Sequence, residues 1–264
     1  MVKQTISPKT AGRTASSLAG PSGTQSSRRL LALLDQFTTE HPTHTVELLS
    51  AAIAVPRSTV YRLVSLLKAH GLLEEAGESR YQLGPRVITM GYVARSMVDL
   101  GDLWRPALER LAEATSETAL VLRRIGDSAV CVDRVECDHP VRLSFEVGKT
   151  MPLHTGAGAK VLLAFSTPEY QERYIATLVP SGQRRALRAE LDQIVAQGWG
   201  ESQAEVDPGI WAAAASLMAE RDGRSLAISV ALPDYRLTPG RREELRSATI
   251  LAAAELRDRF AHLK

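Results

Sequence analysis

The stretch Val55-Pro56-Arg57-Ser58-Thr59-Val60-Tyr61-Arg62-Leu63-Val64-Ser65-Leu66-Leu67-Lys68 decides how the rest of the chain is read. At 3.6 residues per turn, Val60, Leu63, Val64 and Leu67 share one stripe, while Ser58, Arg62 and Ser65 point the opposite way, flanked by Arg57, Tyr61 and Lys68. One face packs and the other offers cations and hydroxyls. Pro56 suits the first turn of such a helix, where its missing N–H is no loss. Taken alone, an amphipathic helix of this kind is more often an ordinary surface helix than a recognition element.

Its neighbours change that reading. Upstream, Thr45 can cap a short helix running to about Ile53, and Ala54-Val55 leave room only for a tight turn, which gives a helix-turn-helix. Downstream, Gly71 can close the second helix. Leu72 to Glu75 and Arg80 to Leu83 then flank Ala76-Gly77-Glu78-Ser79, the pattern of a hairpin or wing. Before all of these, Ser26 or Ser27 can cap a first helix with Leu30, Leu31, Leu34 and Phe37 as its apolar stripe.

From Arg28 to Gly91, with Pro56-Arg-Ser-Thr-Val-Tyr-Arg62, Gly71-Leu-Leu-Glu74 and Arg80-Tyr-Gln-Leu-Gly-Pro-Arg86, the chain resembles the DNA-binding domain of the IclR family of bacterial transcriptional regulators, and the resemblance extends to about Phe260. It implies an α+β protein: an N-terminal winged helix-turn-helix, a linker helix and a C-terminal GAF-like α/β effector-binding domain. Residues 1–25, rich in Ser, Thr, Gly and Pro, read as a disordered tail; 26–84 form the DNA-binding domain, 85–101 the linker helix and 102–264 the effector domain. Ala54 stands where the family usually carries glycine, and alanine suits the turn if φ stays negative there.

The expected DNA-binding residues are Ser58, Thr59, Tyr61 and Arg62 in the major groove, Arg57 and Arg80 chiefly on phosphates, with Ser65 and Lys68 on the same face. Two such helices in a symmetric dimer imply a near-palindromic operator on double-stranded DNA. The apolar positions Val87, Met90, Val93, Ala94 and Met97 on the linker helix need a partner, and the resemblance implies a dimer or dimer of dimers.

Composition agrees with this division. The 264 residues give room for two modest domains, and 44% apolar with 23% charged residues is ordinary for a globular protein. The net charge of +2 conceals an asymmetry: residues 1–90 carry ten Lys/Arg against six Asp/Glu, hence +4, and the remainder carries −2. The basic end holds the helix-turn-helix, a modest electrostatic signal that a dimer doubles. No apolar run approaches a membrane span and the N-terminus lacks a signal core, so no membrane association and a cytoplasmic location are expected. Cys131 and Cys137 lack zinc-finger spacing, and His41 and His44 lack further ligands nearby, so neither metal nor cofactor is expected.

Beyond the linker, a helix is expected from Leu103 to about Thr115, strands at Thr118–Arg123, Ala129–Val135 and Val141–Val147, and helices at Pro168–Leu178 and Arg184–Gln197. Further strands follow at Ile210–Leu217 and Ser225–Leu232, and a helix from Pro239 to about Phe260. Between them, Gly148 to Phe165 is the most informative run. Gly156, Ala157 and Gly158 allow close approach to the backbone, and the helix that follows presents N–H groups with positive dipole to an anionic or polar ligand end. A P-loop is excluded because Val161 follows Lys160 and the glycine spacing is wrong.

Carried over by position, the resemblance implies an effector pocket walled by Leu143, Met151, Ala157, Gly158, Ser202, Ile210, Ala212 and Ser229. Ser202 stands where many members have an acidic residue, and Ala231 where organic-acid sensors often have a second hydroxyl. Both departures remove polar partners and predict a weakly polar effector, aromatic or ester-like. A metabolic enzyme using His154 for acid–base chemistry, with the winged helix as a protein-contact module, is the alternative; no nucleophile elbow or orienting acid supports it, and a structural role for His154 is expected. A DNA-architectural or partner-binding module without a ligand is the third reading.

Overall fold

In the computed structural model, residues 24–38, 40–96, 101–139, 145–218 and 225–261 are described. The tail assigned to residues 1–25 therefore lies almost wholly outside them. The chain divides into two compact units, Met1–Val98 and Asp99–Lys264.

The first unit begins with α1 (Gln25–Leu34), preceded by Thr24 without a side-chain cap. Neither Ser26 nor Ser27 is the cap, because both lie inside the helix. Leu33 is fully buried while Leu31 is 57% exposed, so Leu33 and not Leu31 joins Leu30, Leu34 and Phe37 on the packed stripe. A two-residue strand, β1 (His44–Thr45), leads into α2 (Val46–Ile53), where Thr45 Oγ1 accepts the Leu48 N–H. The turn after it departs from expectation: Ala54 adopts φ 53° and ψ 47°, the left-handed region, and not a negative φ. Here alanine occupies a conformation that costs it about 1–2 kcal/mol relative to its ordinary states.

Next comes α3 (Arg57–Ala69), with Pro56 as its N-cap residue. Val60, Val64 and Leu67 are buried against Leu33, Phe37, Leu49 and Leu73. Gly71, at φ 67°, ends the helix, and the Leu72 N–H returns to the Leu67 carbonyl. The wing is β2 (Leu73–Glu75) and β3 (Arg80–Leu83), antiparallel, with β1 adding to the far side of β3. Gly84 meets the backbone of Gly71 so closely that a Cβ there would stand 2.4 Å from the Gly71 oxygen. The unit closes on α4 (Pro85–Ser96).

The second unit starts with α5 (Gly101–Thr115), then the hairpin β4 (Thr118–Ile125) and β5 (Ser128–Val135). The third strand expected at Val141–Val147 falls mostly outside the described residues. Residues 141–144 lie outside the described part, Phe145 and Glu146 are irregular, and the strand that pairs with β5 is β6 (Thr150–Pro152). Then follow α6 (Ala157–Ala164), α7 (Pro168–Leu178), α8 (Arg184–Gln197), β7 (Trp199–Gln203), β8 (Ile210–Met218), β9 (Leu226–Pro233) and α9 (Pro239–Ala261). After Trp199, Gly-Glu-Ser-Gln in β7 has little strand propensity, and pairing with β8 supplies the order that these residues do not.

Among the described residues these strands form one antiparallel sheet in the order β6-β5-β4-β9-β8-β7. Period-two alternation sends Trp211, Ala213, Val230 and Leu232 to the side of Leu245 on α9. Leu120, Leu122, Ala214, Ala227 and Ala231 face α6 and the helices beyond it. The run Ala212 to Ala215 has no bulk, which lets helices approach both faces of β8.

Candidate functional site

On α3, burial of the apolar stripe leaves Arg57, Ser58, Tyr61, Arg62, Ser65 and Lys68 exposed, with Thr59 half-buried and Arg80 exposed on the wing. Three of the cations are held by the chain itself. Arg57 stands 3.4 Å from Glu47, Lys68 pairs with Glu75, and Arg80 Nη1 donates weakly to Thr43 Oγ1 at 3.4 Å. The hydrogen bond from Lys68 to Glu75 raises the ammonium pKa above its ordinary value. Arg62 has no ion-pair or hydrogen-bond partner among the described residues. It sits mid-helix on the exposed ridge.

In the second unit a small cavity of about 40 Å³ lies between the sheet and the start of α6. Of the residues expected around a ligand, Met151, Ala157, Gly158, Ser202, Ile210, Ala212 and Ser229 line it together, and Leu143 lies outside the described residues. Leu120, Leu122, Phe145, Gly156, Val206, Asp207 and Ala231 complete the wall. Strand register explains the grouping: Ser202 pairs with Ala212, Ala212 with Ala231, and Ser229 with Leu120, so one face of four strands supplies the floor. Leu120 and Leu122 carried no ligand signal in the sequence because alternation on a strand marks a core equally well.

The N–H groups at the start of α6 are not all available, which corrects the expectation of a free anion-binding terminus. Gly156 N–H donates to Glu205 Oε2 and Ala157 N–H to Ser202 Oγ, both at 2.9 Å. Those of Gly158 and Ala159 find no partner among the described residues. The glycines also have packing duties: a Cβ on Gly158 would stand 2.1 Å from Leu122 Cδ1, and one on Gly156, at φ 89°, 2.7 Å from Val206 Cγ2.

Lys160, considered above only as a nucleotide-loop residue, is almost completely buried. Its ammonium donates to Glu205 Oε1 at 2.6 Å and to Glu190. Burial of that charge is tolerable because two carboxylates compensate it. Glu205 thereby ties the loop after β7 to the start of α6.

His154 does not line the cavity. The Tyr174 hydroxyl accepts the Leu153 N–H at 2.8 Å and lies 2.9 Å from His154 Nδ1. Burial pushes the Tyr174 pKa up to about 12 and that of His154 below its ordinary 6.5. A neutral imidazole accepting from the tyrosine is thus the favoured state. Cys131 is likewise inert, its thiol pushed up to about 12 by burial. Among the described residues no cluster of His, Cys, Asp and Glu could hold a metal ion, and no helix is long and apolar enough to cross a membrane.

Comparison with known proteins gives two family matches. Residues 26–77 match the IclR helix-turn-helix domain, and 93–257, more than half of the chain, match the bacterial transcriptional regulator IclR C-terminal domain. The chain is 28% identical over 218 residues to the HTH-type transcriptional regulator KipR of Bacillus subtilis, covering 80% of this chain and 87% of that one. Among solved structures it is similar to an IclR transcriptional regulator from Silicibacter sp., with TM-score 0.78, 23% identity and coverage of 89% and 95%. An IclR homologue from Microbacterium hydrocarbonoxydans, complexed with 4-hydroxybenzoate, gives TM-score 0.68, 21% identity and coverage of 87% and 98%.

Proposed function

Because the chain belongs to the IclR family of bacterial transcriptional regulators, we propose that the α3 ridge reads an operator while the cavity beside α6 binds the metabolite that modulates the reading. Proteins of this family are DNA-binding regulators with a C-terminal effector domain, not enzymes. His154 is hydrogen-bonded to Tyr174 and lies off the cavity wall, which supports a structural role for it over acid–base chemistry.

The observation that carries the DNA-binding assignment is the unpartnered Arg62 on an exposed ridge of the second helix of a helix-turn-helix. Ser58, Thr59, Tyr61 and Arg62 meet base edges in the major groove, Ser65 lies on the same face, and Arg57, Lys68 and Arg80 meet phosphates. The protein acts as a dimer or dimer of dimers on a near-palindromic operator, with half-sites about one helical turn, roughly 34 Å, apart or a multiple of it. Of the apolar stripe expected to need a partner, Met90 and Val93 are exposed, Val87 is half-buried, and the side chain of Ala94 and all of Met97 lie outside the described residues; the exposure of Met90, with Ile88 and Tyr92 on the same helix, supports self-association. We assign 26–84 to DNA binding and 102–264 to effector binding, with α4 (Pro85–Ser96) as the described part of the linker expected over 85–101, and we place the protein in the cytoplasm, where its DNA is.

The effector is weakly polar or aromatic. Leu120, Leu122, Phe145, Met151 and Ile210 make most of the wall apolar, so a charged group would have to seek the Gly158 and Ala159 N–H groups at the start of α6, free among the described residues, while the body of the ligand meets hydrocarbon. That a protein of the same fold holds 4-hydroxybenzoate supports an aromatic body, for which the cavity of about 40 Å³ must widen as the ligand enters. Binding acts through differential affinity for conformers that differ in operator affinity. The test is to incubate purified protein with fragments of its source genome and sequence what it retains. Enrichment of a few near-palindromic sites is expected; uniform, sequence-independent retention would refute operator reading.

A further inference from the structure

Of the polar side chains on the cavity wall, the two serines are engaged: Ser202 Oγ accepts from Ala157 N–H, and Ser229 Oγ donates to the Ala213 carbonyl at 2.8 Å. Asp207 is different. It is the one ionisable residue on the described wall, and its carboxylate makes no hydrogen bond among the described residues. Lys149 Nζ stands 3.7 Å from Oδ2, close enough for attraction and too far for a hydrogen bond.

The backbone holds Asp207 in place. Its loop turns through left-handed conformations at Ala204 (φ 55°) and Gly209 (φ 74°), and the neighbouring Glu205 is anchored to Gly156 N–H and Lys160. The Asp207 side chain is 45% exposed, so water serves its oxygens while the mouth is open. A ligand that fills the cavity displaces that water, and unless it brings a donor of its own it leaves a carboxylate unsatisfied against an apolar body. Lys149 already supplies a positive charge beside the carboxylate, which favours a neutral hydroxyl over an ammonium as that donor.

We propose that Asp207 is a specificity-determining residue of this cavity, selecting effectors that present a hydroxyl, a phenol foremost, at its mouth. The inference rests on the reading of the cavity as the effector site. It names the chemistry that separates one weakly polar aromatic from another.

The test compares benzamide and 4-hydroxybenzamide, which differ by one hydroxyl, by calorimetric titration into the full-length protein. The parent protein is expected to bind the hydroxylated probe about tenfold more tightly. Asp207→Ala should bring the ratio near one by weakening that probe alone, and Asp207→Asn, whose amide oxygen still accepts, should keep part of the preference. Because the ratio is taken within one protein, a general loss of stability does not move it. An equal affinity of the parent for both probes, or an unchanged ratio in Asp207→Ala, overturns the role of Asp207 and leaves the cavity as an effector site. If the parent binds neither probe, the aromatic-effector reading itself fails, and this inference with it.

Discussion

Glu205 and Lys160, forty-five residues apart in the chain, meet at 2.6 Å where the loop after β7 crosses the start of α6. The ammonium is buried, whereas Glu205 and Glu190 are each at least one-third exposed. Removing one carboxylate therefore costs more than removing the cation. Glu205→Gln is expected to destabilise the protein by about 2–4 kcal/mol, since it leaves the buried ammonium with a single compensating negative charge, Glu190. Lys160→Met keeps the volume, frees two carboxylates that water can reach, and should cost less. Denaturant titration of both variants checks the order; a larger loss in Lys160→Met would contradict it.

The pair His154 and Tyr174 predicts a pH dependence. Burial holds the His154 pKa below 6.5, so its contribution is fully present above the unfolded value and is lost as the pH falls through the lower folded value. Unfolding free energy should thus decline between pH 7.5 and 5 more steeply in the parent than in His154→Asn. Tyr174→Phe, which orphans the buried Leu153 N–H, should cost about 1–3 kcal/mol at pH 7.5. Parallel pH profiles for parent and His154→Asn would count against the assignment.

On α3, Arg62→Ala and Lys68→Ala separate specificity from general attraction. The first should erase about 1–3 kcal/mol of discrimination between operator and mismatched duplex while leaving self-association intact. The second should weaken binding to both duplexes alike and lower the salt dependence by roughly one ion. Fluorescence anisotropy across a salt series distinguishes them. Equal discrimination by Arg62→Ala and the parent would remove Arg62 from the interface.

Ala54 offers a stabilising substitution. Its φ of 53° suits glycine, so Ala54→Gly should gain about 0.5–1 kcal/mol after the greater entropy of unfolded glycine is subtracted. A loss of stability, measured by equilibrium unfolding, would argue that the turn takes another conformation.

Much of this protein was set by local sequence. The alternation of apolar and polar positions on α3, the Thr45 cap, Gly71 at the helix end and the hairpin residues of the wing each act within a few residues, so their structural consequence is readable in order along the chain. The same holds for α7 and α8, bounded by Thr167-Pro168 and Gly198. Tertiary structure decided what local rules leave open. Ala54 is forced to a positive φ because two packed helices fix the ends of its turn. β7 is a strand because β8 offers it an edge, and β6 takes the place beside β5. Lys160 is buried because carboxylates thirty and forty-five residues later reach it. The cavity wall draws on strands whose neighbours in space are distant in sequence, and pairing register, which depends on the whole sheet, determines which side chains share it.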